Sequence, residues 1–294
     1  HNEGLTYIRH PWESGIDNSP AWDPPLREID LDSVTIPTYE RKDLDHDIPS
    51  DQRPGHEDYD RYVHLIDIYR KHNYDESAIY DDCPFLIQDP LFNSILSRST
   101  EGLISVGKYL GRETAQLEDW RDRTCRGIRE KLWSEEHGLF FPYDLRRQKL
   151  IEVPTAMSFL PLLSRSPSAE QTRELYDKLE TCSFCPMHED SCFSIPNYDM
   201  EGEEFDPDNY WRGPVWININ WLLMKGLKRH GYQEKFRSVR ADIIELIRRW
   251  GFREYFDPLS GEGYGTDRFS WTAALLIDTI ESLPFRVSDD KSFR

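Results

Sequence analysis

The sequence predicts a mainly α-helical single domain whose helices fall into two layers. Three observations predict it. Apolar residues recur with the 3.6-residue period of an α-helix through most of the chain, with little strand signal. Helices rich in apolar residues tend to alternate with helices rich in charge. No Gly/Ser-rich linker divides the 294 residues. Such alternation is what the inner and outer layers of a helical toroid give, and a plain helical bundle gives it too.

The elements follow in order. Residues 55–73 (GHEDYDRYVHLIDIYRKHN) set Tyr59, Tyr62, Leu65, Ile66 and Tyr69 along one helical face. Residues 89–110 form a second helix, entered through Asp89 as N-cap with Pro90 in the first turn. A third, 113–136, is long and charge-rich, which suits an outer, solvated helix. In GLFFPYDLRRQKLIEV (138–153), aromatic and β-branched residues alternate around a polar centre, the pattern of a hairpin. Shorter helices are expected at 153–164 and 168–182. Residues 183–209 read as a long, acidic, Pro-containing loop, a length that is functional or disordered in compact domains. Helices resume at 211–230, 233–251 and 268–284. The first and last are rich in Trp, Leu and Ala, while 233–251 carries many Arg and Glu.

Composition excludes several classes of function. Nine Trp, fifteen Tyr and fourteen Phe argue for a folded core, because disordered chains lack such side chains. A formal charge of −18 would repel a polyanion, so no nucleic-acid partner is expected. No run of about 18 apolar residues exists to span a membrane. The chain opens at His1 without an initiator Met or a signal-peptide pattern, the mark of a processed, tagged or partial chain. Five cysteines make an odd count, which points to a reducing compartment and a cytoplasmic location. Four residues, Cys182, Cys185, His188 and Cys192, are spaced closely enough for three readings: a zinc site, a local disulfide, or ordinary loop cysteines. No metal or other cofactor is assigned.

Three loop stretches break the helical pattern with one vocabulary: HPWESGIDNSPAWD (10–23), DPDNYWRGPVW (206–216) and EYFDPLSGEGYGTDRFSW (254–271). Each combines Trp or Tyr with carboxylates, Gly or Pro. Aromatic faces stack on the C–H faces of sugars, carboxylates and Arg bind hydroxyls, and Gly permits close backbone approach. A chemistry that needs two separated carboxylates between aromatic walls is glycoside hydrolysis. On residue type alone Glu13, Asp17, Asp23, Asp257, Glu262 and Asp267 all compete for those two roles.

The stretches HPWESGIDNSPAWD, YWRGPVWININWLL (210–223) and EYFDPLSGEGYGTDRFSWTAAL (254–275) resemble signatures of glycoside hydrolase family 63. Within it they are most similar to the mannosylglycerate and glucosylglycerate hydrolase group. DPLFNSIL (89–96) resembles the family's sugar-side helix, and trehalases share the pattern more loosely. The resemblance implies an (α/α)6 toroid of six-hairpin type. It also implies an inverting α-glycosidase for a small α-glucoside or α-mannoside, glucosylglycerate or mannosylglycerate. It places the general acid at Asp17, raised in pKa by partial burial against Trp12 and Trp22, and the general base at Glu262, ionised in a Gly-rich turn. Trp12, Tyr210, Trp211, Trp216 and Trp271 match aromatic walls of the sugar site, and Arg212 and Asn93 match hydroxyl binders. Arg53 and Tyr59 match the pair that holds the glycerate carboxylate, which an Arg fork suits.

The acid loop begins ten residues into the chain and eight helices are expected. The resemblance therefore implies that the N-terminal helix pairs of the toroid are missing and that residues 1–294 are the C-terminal part of one catalytic barrel. Two other functions stay open. One is an α-glucosidase or trehalase-like enzyme for neutral oligosaccharides, and the other is a non-catalytic carbohydrate-binding fragment.

Overall fold

Helices supply most of the regular structure of the computed structural model, which describes residues 3–44, 49–186, 192–193 and 195–281. Among these residues the α-helices are α1 (Asp23–Arg27), α2 (His56–Lys71), α3 (Glu76–Asp82), α4 (Pro90–Tyr109) and α5 (Ala115–Lys131), followed by α6 (Ala169–Leu179), α7 (Ile217–Arg229), α8 (Gln233–Trp250) and α9 (Ser270–Glu281). Five of them, α2, α4, α6, α8 and α9, fall within a few residues of the segments that periodicity predicts. Their caps are the expected ones: Asp89 accepts the Leu91 N–H at 2.7 Å to start α4, and Ser168 with Gln171 forms a capping box on α6.

The departures have local causes. The helix expected over 113–136 ends at Lys131, because Trp133–Ser134 pairs antiparallel with Leu139–Phe140. The predicted hairpin is therefore split. Its second part, Tyr143–Asp144 with Lys149–Leu150, forms a hairpin whose first strand also pairs with Ile87–Gln88. Helix α7 starts at Ile217 rather than 211, since Pro214 disfavours helical geometry at Gly213 and lacks an N–H. The segment expected as a helix over 153–164 is a 3-10 turn, Ala156–Leu163, with every residue buried and Pro161 inside it.

That apolar 3-10 segment lies at the centre of the packing. Helices α4 and α7 both lie against it, α5 packs on α4, and α8 and α9 pack on α7. Phe159, Leu160 and Leu162 meet Leu223, Met224 and Leu227 of α7 in one core that extends to Trp22, Phe85 and Phe141. The approach is close: a Cβ on Gly226 would meet the backbone carbon of Leu162 at 2.9 Å. Most charged side chains face outward from α5 and α8, as their composition predicts, except Lys235 of α8, which is buried and donates to the Leu179 and Cys185 carbonyls. Helix α4 buries one face only, leaving Phe92, Leu96, Leu103 and Val106 exposed, and α9 exposes Trp271, Ile277 and Ile280.

Cys185 and Cys192 are joined in a disulfide. The zinc reading thereby loses two of its four ligands, and His188 lies outside the described residues. A disulfide belongs to oxidising surroundings, so the odd cysteine count no longer speaks for a reducing compartment. Cys83 and Cys125 are buried thiols. No described helix is long and apolar enough to cross a membrane.

Candidate active site

The loop over residues 10–23 is held as a rigid ledge. Pro11–Ser14 makes a 3-10 turn that ends at Gly15 in the left-handed region (φ +76°), which redirects the chain into Ile16 and Asp17. His10 accepts the Trp12 N–H on Nδ1 at 3.0 Å, so its Nε2–H donates to the Tyr62 carbonyl at 3.0 Å. Burial holds His10 neutral, with its pKa down at about 4. Trp22 donates its indole N–H to the Ile16 carbonyl (2.9 Å), and the Tyr62 hydroxyl donates to the Asp17 carbonyl (2.7 Å). Asn18 accepts the Trp211 backbone N–H at 3.0 Å, which fastens this loop to the 206–216 loop.

Asp17 therefore has a fixed backbone on both sides. Burial pushes its carboxyl up to about 6, against the Arg53 charge and the Trp211 indole N–H. The expected raise is present, but its source differs. Trp22 supports the loop from behind, and Trp12 stays 44% exposed beside Tyr59 and Tyr62, with ring centroids at 6.0 and 5.8 Å.

Arg53 is buried and turned inward. Its Nη2 lies 3.0 Å from Glu254 Oε2 and its Nη1 3.4 Å from Oε1. The guanidinium stands over the Tyr210 ring at 4.2 Å. Tyr210 holds a left-handed backbone (φ +44°), unusual for an aromatic residue and of the kind retained where function needs it. Both Asp17 and Glu254 raise the pKa of the Tyr210 hydroxyl through their charge, after burial itself. Glu254 also accepts the Thr266 N–H at 2.9 Å. Gly265 makes that closeness possible, since a Cβ there would meet Glu254 Oε2 at 2.5 Å. The 206–216 and 254–271 loops are themselves bridged by Val215 and Phe256, which exchange hydrogen bonds of 2.7 and 3.0 Å.

Other residues singled out by sequence are distributed differently from expectation. Glu262 is exposed and accepts the Tyr264 hydroxyl at 3.1 Å, and among the described residues no hydrogen bond or ion pair joins it to Asp17 or Arg53. Glu254, which the sequence does not single out, is buried and ion-paired with Arg53. The available signal was its position directly ahead of Tyr255-Phe256, an apolar pair that buries as a strand and takes its neighbour inward. Asn93 is not free to bind a hydroxyl: its amide donates to the Thr6 and Asp89 carbonyls and accepts the Thr6 N–H. Arg212 is ion-paired with Asp23 and Glu204. Trp216 is buried behind Trp211, stacked at 3.5 Å between centroids, and donates to the Tyr210 carbonyl. Trp271 stands exposed on α9, in ring contact with Phe269. Tyr59 packs its ring against Trp12, Tyr62 and Tyr39, and the Arg41 guanidinium sits over it at 3.8 Å. Glu13 caps the Arg9 N–H, Asp257 organises its own turn through Leu259 and Ser260, and Asp267 is exposed.

Residues 1–272 match the family model of the mannosylglycerate hydrolase MGH1-like glycoside hydrolase domain. Mannosylglycerate hydrolase of Rubrobacter radiotolerans is 43% identical over 95% of this chain and 62% of its own length. Glucosylglycerate hydrolase of Mycolicibacterium hassiacum is 31% identical over 94% of this chain and 62% of its own. A crystal structure of a family 63 mannosylglycerate hydrolase from Thermus thermophilus, in complex with Tris and D-glycerate, superposes with a TM-score of 0.87. Its identity is 39%, over 94% of this chain and 65% of that one. The chain thus spans less than two thirds of the length of these relatives. Neutral trehalase of Saccharomyces cerevisiae, at 16% identity and a TM-score of 0.51, shares the fold alone.

Proposed function

The chain belongs to the mannosylglycerate hydrolase MGH1-like glycoside hydrolase family, and from that premise we propose an inverting α-glycosidase that hydrolyses glucosylglycerate or mannosylglycerate. Asp17 is its proton donor, and Glu254, in place of Glu262, is the base that activates water. One observation carries this reading: Arg53, which pairs with Glu254 at 3.0 Å and stands over the Tyr210 ring at 4.2 Å, also acts on the carboxyl of Asp17, which burial raises to about 6. A donor must hold its proton near neutral pH, which Asp17 does better than an ordinary aspartate. Protonation of the glycosidic oxygen by Asp17 lets the aglycone leave, while Glu254 takes a proton from water attacking the anomeric carbon on the opposite face. Inversion requires the two carboxyl groups to stand ~6.5–9.5 Å apart, with that water between one of them and the sugar.

The acidic aglycone is supported by the named activities of the relatives and by Arg53 with Tyr59. Arg53 keeps an Nε–H without a partner for a substrate carboxylate, while both Nη groups engage Glu254. That same pairing also favours a second reading, hydrolysis of neutral α-glucosides, because the cation is already neutralised.

Proton NMR of the products formed by the full-length protein from α-mannosylglycerate, α-glucosylglycerate and trehalose tests the proposal. The β-anomer should appear first from the glycerate glycosides. Glu254→Gln should lower kcat by at least ~10³-fold and Glu262→Gln by less than ~10-fold, a base being worth ~10²–10⁴. The opposite ranking returns the base to Glu262, and hydrolysis that survives Asp17→Asn ends the donor assignment. Arg53→Lys retains a cation but loses the fork. Selective loss of glycerate glycosides supports the acidic aglycone, and equal loss on trehalose favours the neutral reading. A full-length protein that binds these sugars and hydrolyses none would be a carbohydrate-binding protein.

A further inference from the structure

Arg212 has a place in the site that is not a binding place. Its Nη2 lies 2.5 and 2.6 Å from the two carboxylate oxygens of Asp23, and its Nη1 lies 3.4 Å from Glu204. Arg27 closes the network, at 3.2 Å from Asp23 and 3.3 Å from Glu204. The Arg212 and Asp23 side chains are 14% and 12% exposed, enough burial for the pair to resist screening by salt. Asp23 ends the loop that carries Asp17, and Arg212 follows Trp211, whose backbone N–H donates at 3.0 Å to Asn18, the residue after the acid. Otherwise these two loops are tied by neutral contacts at Asn18, to Trp211 at 3.0 Å and Asn209 at 3.4 Å.

A path of one peptide bond and one hydrogen bond runs from the pair to the residue before the acid. Asp23 adjoins Trp22, and the Trp22 indole grips the Ile16 carbonyl next to Asp17. A shift of Asp23 is therefore passed through a rigid, buried tryptophan to the residue that precedes the acid. We propose that the Asp23–Arg212 ion pair is a positioning device that holds Asp17 in place for proton transfer. Arg212 and Asp23 are positioning residues in this scheme and touch no substrate. The inference rests on Asp17 being the proton donor.

Two substrates separate positioning of the acid from other roles. An α-glycoside of glycerate needs its leaving oxygen protonated, whereas the matching α-glycosyl fluoride departs with little protonic help. In the full-length protein, Arg212→Ala should lower kcat on the glycoside by ~10–100-fold, the scale of a misplacement near 1 Å. KM should move by less than ~3-fold, and fluoride hydrolysis by a similarly small factor. The Asp23→Asn/Arg212→Ala double variant should be no worse than Arg212→Ala alone, since both remove one interaction. Loosening the loop rehydrates Asp17 and drops its pKa, so the basic limb of the pH–rate profile should move to lower pH. Arg212→Lys keeps the cation and should recover part of the rate. A loss carried mainly by KM would make Arg212 a substrate contact. An equal loss on the fluoride, or additive effects of the two substitutions, would also overturn the positioning role, as would unchanged rates. Asp17→Asn is the control. If it still hydrolyses the glycoside, the donor assignment fails; if it is inactive on the glycoside yet keeps the fluoride, only the clamp is on trial.

Discussion

Asp17 and His10 lie on one loop and titrate in opposite senses, for the same reason: burial disfavours whichever form is charged. His10 falls to about 4, so the folded protein resists its protonation and loses stability as pH drops below the ordinary value of 6.5 toward 4. Asp17 rises to about 6 from an ordinary 3.8, so its stabilising effect is complete below 3.8 and is lost as pH climbs through 6. Two outcomes are expected. Activity should have a basic limb near pH 6 set by Asp17, measurable as kcat/KM against pH, and Asp17→Asn should abolish that limb together with the rate. The same substitution should stabilise the fold at pH 8 by on the order of 2–3 kcal/mol, at ~1.4 kcal/mol per unit of displaced pKa. That gain should shrink to nothing below pH 3.8 in urea denaturation series. A stability gain independent of pH would contradict the ionisation argument.

At the scale of elements, the 3.6-residue period located most helices, and what it missed was decided by single residues or by partners. Pro214 delays α7 to Ile217, which leaves Tyr210, Trp211 and Arg212 in a loop where their side chains can point at the acid loop. Trp133 leaves α5 because Phe140 offers it a strand to pair with. The segment 156–163 has the composition of a buried helix, yet it winds as 3-10 with Pro161 inside, and α7 lies directly upon it. Gly226 is the point of nearest approach. Gly226→Ala would gain up to ~1 kcal/mol of helix propensity on an exposed surface. Here the new methyl meets Leu162 backbone at 2.9 Å, and overpacking of this kind costs ~1–3 kcal/mol. Net destabilisation is expected in thermal unfolding, and a raised Tm would mean that the two elements separate at little cost.

For the molecule as a whole, α4 and α9 are the unusual parts. Leu103 and Val106 are more than half exposed, as is Ile277, although a surface helix normally turns such residues inward. Among the described residues nothing covers these faces. The 294-residue chain by itself should therefore bind apolar dyes and self-associate in sedimentation velocity. Leu103→Glu with Val106→Glu should reduce both without lowering the unfolding free energy by more than ~1 kcal/mol, the scale of an exposed change. A monomer that ignores the dye would show these faces to be tolerated as they stand.

The sequence alone determined most of the helices and the three aromatic and acidic loops, while the choice of Asp17 over Glu13 and Asp23 in the first of them came from the family resemblance. Helices and loops depend on neighbours a few residues away, where periodicity, capping and turn chemistry operate. Only the tertiary structure decided which residues those loops would share. Arg212 met Asp23 across 189 positions and Arg53 met Glu254 across 201. Asn93, well placed by pattern, gave its amide to backbone, and Trp216 was stacked out of reach behind Trp211. Charges and amides take whichever partner the packed core delivers within about 3 Å, and no local pattern encodes that delivery.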